Sequence, residues 1–588
     1  MDRESKRRSA GRRSLGVSLL AIGLGLVSSA CGHSSPGQAN PTPGAGATGG
    51  GAAESGGSGG GNTTGSSGSG GANPAGGSTG GGGSGGGVLT AGGASGGSPP
   101  RAVGATDGGT TIGGGGAGDG GAVGGRSGGA STGSGGGAPD AGAGAADGSG
   151  GGGAASGWET IHNDFFWYDQ MGNLINVRSG ALRKFGDLYY WYGSANGAAD
   201  QTCYSSPDLV HWTYKGVVLH GVDKANRMDM LYNALTKTYV MFLKYDGDSA
   251  YLGIATSPTP DGTFTFQSQT LVDGYTIGDM SMYEDDDGQA YLAYVWWETG
   301  PNREHGIYRM SPDYLTLADR VYLWNIPSRE APHIFKRNGI YYYGTSRTAG
   351  INPTGTEYYM ATSLAGPWSA ATDLNTPGST TSYESQCDFV FPFPGTQGTY
   401  YMFDGDRWLP TGGTQGDYVW LPMEFDDAGV PSMTYYQDWD FNLTTAAWRP
   451  FDRTRDLALG KTVTASSEMA GNAAASVTTA ATYENYTATR WESAASDPQW
   501  IMADLGSPVE IDRVILKWYT DYAKVFDVEV STDATTWTSV HTSTTGASYS
   551  VTDVTFAKTT ARYVRMNGTQ RGTTNGYSLF AFMVIDDP

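Results

Sequence analysis

Basic residues are scarce in this chain. Thirty-six lysines and arginines stand against 57 aspartates and glutamates in 588 residues, a net charge of −21. Setting aside positions 1–30, which hold six basic and two acidic residues, takes the net charge to −25. A folded part so acidic, without a basic cluster, offers no surface for nucleic acid or for docking on anionic lipid. Cysteine is almost absent. After Cys31 only Cys203 and Cys387 remain, so at most one internal disulfide can form. Long apolar runs are missing too, save LGVSLLAIGLGLV near the N-terminus, which is too short for a comfortable membrane span. It follows a basic stretch (Arg3, Lys6, Arg7, Arg8, Arg12, Arg13) and ends in small residues, so residues 1–30 read as a bacterial export signal.

The small residues directly before Cys31 resemble a lipoprotein signal, which implies a lipidated Cys31 and an exported chain held at the bacterial outer membrane or cell surface. That lipid is then the chain's one membrane attachment. Residues 31–157 are mostly Gly, Ser, Ala and Thr and lack large apolar side chains. Such a segment cannot bury enough surface to offset its ordering entropy, so it is expected to be a disordered tether. As a Gly-rich coil it would hold its ends about 60 Å apart.

What the rest of the chain has is a repeat. DLYYWYGS, KTYVMFLK, QAYLAYVW, GIYYYGTS and GTYYMFDG align on Tyr189, Tyr239, Tyr291, Tyr341 and Tyr400, at spacings of 50, 52, 50 and 59. Echoes at Ser206, Ser257, Ser311 and Ser363 follow the first four. A period near fifty built on aromatic, β-favouring segments predicts blades of a β-propeller. Residues 158–450 are therefore expected to be five-bladed. Gly186-Asp187, the run Asp285-Asp286-Asp287-Gly288, and Asn338-Gly339 read as hairpin turns, with the acids of the second in a solvated turn. Cys203 and Cys387 fall in the first and fifth repeats, neighbours in a closed ring, where they either latch it as a disulfide or stay as two buried thiols.

Beyond about residue 450 the repeat stops. Short alternating strands such as IDRVILKWY, with Val514, Leu516 and Trp518 opposite Arg513, Ile515 and Lys517, predict a β-sandwich over 451–588 and an all-β chain. The phrases LALGKTVTASS, ATRWESAASDPQWIMADLG, VFDVEVSTDATTW and ARYVRM resemble the discoidin or coagulation factor 5/8 type C jelly roll, which includes carbohydrate-binding module family 32. The resemblance implies core positions for Trp491 and Trp500. It also implies sugar-binding loops at Tyr483, Asn485, Tyr486, Arg571, Asn575 and Tyr577. That family's structural calcium leans on an acid in the last strand, where Ala581 stands here. No cofactor is expected to be required, and the structural calcium stays open.

In a propeller the innermost strand of each blade precedes the strand carrying the aligned tyrosine. Counting back 10 to 14 residues gives Arg178, Arg227 and Asp229, Asp279, Glu330 and Gln386. Acids and arginines converging on one channel suit cleavage of a glycosidic bond, where one carboxyl donates a proton and another group activates water. Structural capping of strands is the competing role for any one of them.

The words WYDQMGNLINVRSGALRKFGDLYYWYG, IGDMSMYEDDDGQAYLAY, SREAPHIFKRNGIYYY and SYESQCDFVFPFPG resemble glycoside hydrolase family 43, and within it the exo-β-1,3-galactanase branch. The resemblance implies an inverting exo-glycosidase acting on galactan or arabinogalactan. It makes Glu330 the general acid, Asp279 its supporting acid, and Gln386 the group that positions water. Glu384, on the same face as Gln386 if the segment is extended, is a second choice for that role. Arg178 and Asn226 replace the branch's usual His and Glu, which keeps a galactofuranosidase, an arabinofuranosidase or a non-catalytic glycan-binding lipoprotein in view. Trp408 and Trp420 either wall the pocket by stacking or lie in the core. A monomer is expected.

Overall fold

The computed structural model describes residues 157–194, 200–222, 226–245, 250–296, 304–350, 352–407, 416–479 and 489–587, with the side chain of residue 226 excepted. The expected export signal, Cys31 and nearly all of the Gly-rich segment lie outside the described residues.

Five sheets of four antiparallel strands follow one another along the chain. Their innermost strands are Arg178–Phe185, Asn226–Asn233, Ile277–Glu284, Arg329–Arg337 and Gln386–Gly395, numbered here as blades one to five. Each is followed by the strand with its aligned tyrosine, because hairpin chemistry joins the two. Asn338 and Gly339 both take positive φ (51° and 78°), the backbone a two-residue turn needs. Gly186 and Gly288 turn in the same way at 64° and 77°. Residues 285–288 do form a turn, and Asp285 also reaches the next blade, accepting from Lys336 Nζ at 2.8 Å and Tyr341 Oη at 2.6 Å. The echo serines have a local task. Ser206 Oγ accepts from the Leu209 amide at 2.8 Å, and Ser311 Oγ accepts from the Thr316 amide at 3.0 Å, each closing a turn between third and fourth strands.

The expected five blades are corrected to six. Trp158–His162, from the start of the propeller, pairs with Asp438–Asn442, which pairs with Ala447–Pro450, giving a sixth, three-stranded sheet. None of these strands carries the tyrosine phrase, so the fifty-residue period could not register them. Ile161, Trp439 and Phe441 of this sheet pack with Tyr189 and Trp191 of blade one and Phe389, Phe391 and Phe393 of blade five. The sixth blade thus wedges the seam where the chain closes on itself. The other cores are layers between neighbouring blades, such as Met230, Met241 and Tyr192 between one and two, and Phe335, Tyr342 and Phe403 between four and five. Cys203 belongs to the first of these layers and Cys387 to the second; both are buried free thiols.

The C-terminal strands form a seven-stranded antiparallel sheet folded over a core of Trp491, Trp518, Phe526, Val564, Tyr577 and Phe582. Trp500 is only half-buried, unlike Trp491. In strand Gln499–Trp518 the alternation over 513–518 is as drawn from sequence, but neither face of that stretch meets water. Val514, Leu516 and Trp518 fill the sandwich, while Ile515 packs with Phe165 and Phe451 of the propeller region. Arg513 and Lys517 face the same way: Lys517 Nζ meets both Asp438 oxygens at 2.6 and 2.7 Å. His162 sits between Asp438 (2.7 Å) and Asp553 (3.0 Å). The sandwich is bolted to the sixth blade by buried charge.

Candidate active site

Each innermost strand begins at the same mouth of the channel, and each slips register there. The slips fall at Arg178/Ala181, Asn226/Met228, Ile277/Met280, Glu330/His333 and Cys387/Phe389. An extra residue in one strand bends it and re-aims its side chains. Ser179, Arg227 and Ala331 sit in these bulges with positive φ of 47°, 46° and 54°, costly conformations for residues with a Cβ. The similar sequence offsets therefore mark a structural irregularity that recurs in each inner strand.

These bulges gather the predicted groups. Gln386 Nε2 donates to Glu330 Oε1 at 2.9 Å and to Ser346 Oγ at 3.0 Å. Its Oε1 accepts from Arg227 Nη2 at 2.6 Å. The amide orientation is thus set by a donor on one side and acceptors on the other. Asp279 Oδ2 accepts from the backbone amide of Ala331, the residue after Glu330, at 3.0 Å, and lies 3.5 Å from Arg227 Nε. Lys244 Nζ stands 4.0 Å from the other Asp279 oxygen. Glu330 is 9% exposed, so it is enclosed without being sealed. Three blades hence supply Asp279, Glu330 and Gln386, and a fourth supplies the cation that ties them.

Sequence reasoning missed the carboxylates behind this group. Asp388 Oδ1 accepts from Arg227 Nη1 at 2.5 Å, and Asp406 Oδ2 accepts from the Ser179 amide at 2.7 Å. Burial, then the neighbouring Asp406 charge, raises the Asp388 carboxyl well above the usual range. Burial pushes Asp406 up to about 7. On Arg227 burial works against the charge, but Asp279, Asp388, Asp406 and Glu330 together outweigh it and raise its pKa. Burial lowers that of Arg178, which the same carboxylates Asp406, Asp279 and Asp388 oppose. The available signal was acids inside apolar strands, one in QCDFVF and two in FDGDRW; it gives no hint of which acids meet.

Several expected site residues lie elsewhere. Asp229 is a buried staple, accepting from the Met230 and Met282 amides (both 2.7 Å) and pairing with Arg183, so it ties blades together instead of facing sugar. Trp420 is fully buried, with ring centroids 4.7 Å from Trp167 and 5.0 Å from Trp191, and belongs to the core. Glu384 is not on an extended strand. Positive φ at Ser382, Tyr383 and Glu384 makes that stretch a turn, and the Glu384 side chain is exposed away from the Gln386 contacts. In the sandwich, Tyr577 is a core residue whose hydroxyl donates to Asp497. Arg571 pairs with Asp497 at 3.3 Å and Asn575 Nδ2 donates to Asp521 at 3.1 Å, so both are held by local acids. The Asn226 side chain, Trp408, Tyr483, Asn485 and Tyr486 lie outside the described residues. Among the described residues no group of three or more His, Cys, Asp or Glu side chains is placed to hold a metal ion.

Residues 180–390 match the family model of glycosyl hydrolases family 43, and residues 478–566 match the F5/F8 type C model of a NedA-like, galactose-binding domain. The chain is 31% identical over 216 residues to the β-D-galactofuranosidase xynD of Aspergillus niger, an alignment covering 32% of this chain and 62% of that protein. The chain therefore spans less than two thirds of that relative's length. Among solved structures it is similar to an exo-β-1,3-galactanase from Phanerochaete chrysosporium, with 24% identity, TM-score 0.47, and coverage of 72% of this chain and 99% of that one. It is similar also to an exo-β-1,3-galactanase from Clostridium thermocellum, with 25% identity, TM-score 0.46, and coverage of 72% and 100%.

Proposed function

We propose, from the glycosyl hydrolase family 43 domain at residues 180–390, that this chain is an exo-glycosidase releasing terminal galactose from β-1,3-galactan or arabinogalactan. The observation that carries the reading is the meeting of Asp279, Glu330 and Gln386, from three blades, at one partly enclosed point. Glu330 donates a proton to the departing glycosidic oxygen. Gln386 Nε2 donates to Glu330 Oε1 and so fixes the carboxyl group that carries the proton. Asp279 fixes the backbone beside the donor through the Ala331 amide and keeps a second negative charge near it, which favours a protonated Glu330. Gln386 orients water for a single inverting displacement, its carbonyl polarised by Arg227. The C-terminal sandwich holds galactose-containing polymer near the channel and raises local substrate concentration. Export, lipidation at Cys31 and a surface tether over 31–157 belong to the same proposal.

The likeness to a galactofuranosidase supports a second reading, in which the first subsite takes a five-membered galactose ring. Purified protein is assayed on p-nitrophenyl β-D-galactopyranoside, the matching galactofuranoside and β-1,3-galactan, with released monosaccharide identified. Release that disappears in Glu330→Gln upholds the glycosidase. Turnover of none of these substrates by the wild type, with glycan binding intact, overturns it.

A further inference from the structure

We propose that Tyr275, backed by Trp296, is an aromatic platform at the channel mouth that binds the second and third sugar units of a chain whose terminal unit is in the site. The inference rests on the glycosidase reading above. The segment joining the outermost strand of blade two to the innermost strand of blade three crosses the mouth face and enters the strand that carries Asp279. On it, Leu271 and Tyr275 expose 37% and 44% of their surface, although nearly all other large apolar side chains are covered. An exposed ring needs a reason only if it is held in place, and this one is. Val272 and Tyr275 exchange two backbone hydrogen bonds of 3.0 Å across a tight turn, with Asp273 and Gly274 at φ 55° and 84°. Val272 and Ile277 are fully buried on either side.

Asp273 pins that turn to three further strands of blade three. It accepts from Arg320 Nη1 at 2.8 Å, from Tyr294 Oη at 3.4 Å and, at close range, from Tyr308 Oη. Behind Tyr275 the Trp296 ring lies 4.7 Å away between centroids, itself only 5% exposed. Trp296 stands opposite Ile277 in register, two residues before Asp279. A pair of aromatic rings in tilted contact, 43° between planes, thus borders the strand that carries Asp279. The buried Thr276 Oγ and Trp296 Nε1 beside it have no hydrogen-bond partner among the described residues. A β-galactopyranose ring has a C–H face that stacks on an exposed aromatic ring such as Tyr275, beside the strand that carries Asp279. Stacking costs little here, because the turn is ordered before the sugar arrives.

The test compares kcat/KM of the full chain on p-nitrophenyl β-D-galactopyranoside and on β-1,3-galactobiose, triose and tetraose. Tyr275→Ala is expected to lower the triose-to-aryl ratio about tenfold, chiefly through KM, and Tyr275→Phe to restore it. Leu235→Ala, an exposed apolar position on the opposite face, serves as the control and should leave the ratio alone. A Tyr275→Ala ratio equal to that of the wild type overturns the platform while leaving the glycosidase standing. A wild type inactive on every one of these galactopyranosides overturns the platform together with the β-1,3-galactan reading, and the galactofuranoside assay then decides the glycosidase.

Discussion

Replacing Lys517 with methionine should destabilise the folded part by about 3 kcal/mol, at the lower end of what breaking a buried ion pair costs. The figure follows from the surroundings. Lys517 and Asp438 are 0% and 1% exposed, so removing the ammonium leaves a carboxylate with almost no access to water. Asp438 keeps two other cations, His162 at 2.7 Å and Arg453 at 3.5 Å, which limits the loss. Asp438→Asn should cost more, about 5 kcal/mol, because Lys517, His162 and Arg453 all lose their shared anion. With an unfolding entropy of ~2.1 cal/mol/K per residue over roughly 400 residues, 3 kcal/mol corresponds to a Tm lower by about 3–4 °C. Calorimetry and urea unfolding followed by tryptophan fluorescence both read it. A Lys517→Met protein within 1 kcal/mol of wild type, or an Asp438→Asn protein more stable than Lys517→Met, refutes the reasoning.

Glu330→Gln should lower kcat by about 10²–10⁴ while the unfolding midpoint stays near that of wild type, since the amide keeps the contact to Gln386; kinetics beside thermal unfolding checks it. Gln386→Ala should lower kcat more than it raises KM, because its amide fixes Glu330 as well as water, and initial-rate kinetics across substrate concentration separate the two. Trp420→Phe should lower the unfolding midpoint without a selective rise in KM, as expected of a side chain with no access to the channel. Two carboxylates hydrogen-bonded to His162 raise its pKa against the effect of burial. Its contribution is then complete below about pH 6.5 and fades as pH rises through the higher folded value. Unfolding midpoints should decline as pH rises above about 6.5, and His162→Gln should flatten that decline.

The propeller was legible because its signal is local. Each tyrosine phrase, its hairpin turn and its serine echo lie within about thirty residues, so blades one to five could be counted. The sixth could not, because Trp158–His162 finds its partner some 280 residues away and shares no phrase with it. Glu330, Asp279, Gln386 and Arg227 were readable from their offsets, which reflect one bulge repeated in each inner strand. Glu384 was misplaced for a related reason: three successive positive φ values turn the chain where an extended strand was assumed. Trp420 and Tyr577 show the other limit, since an aromatic side chain in a strand looks the same whether it meets a sugar or a neighbouring sheet.

By itself, then, the sequence determined the period, the strand chemistry and the residue types that gather at the channel mouth, because these depend on neighbours along the chain. Tertiary structure alone decided that Asp388 and Asp406 stand behind Arg227, and that Cys203 and Cys387 lie in separate layers. It also decided that the polar face of the strand ending at Trp518 is buried against the propeller. Each of these is a pairing across more than one blade or module, and nothing in a local pattern of residues fixes which distant partner closes it.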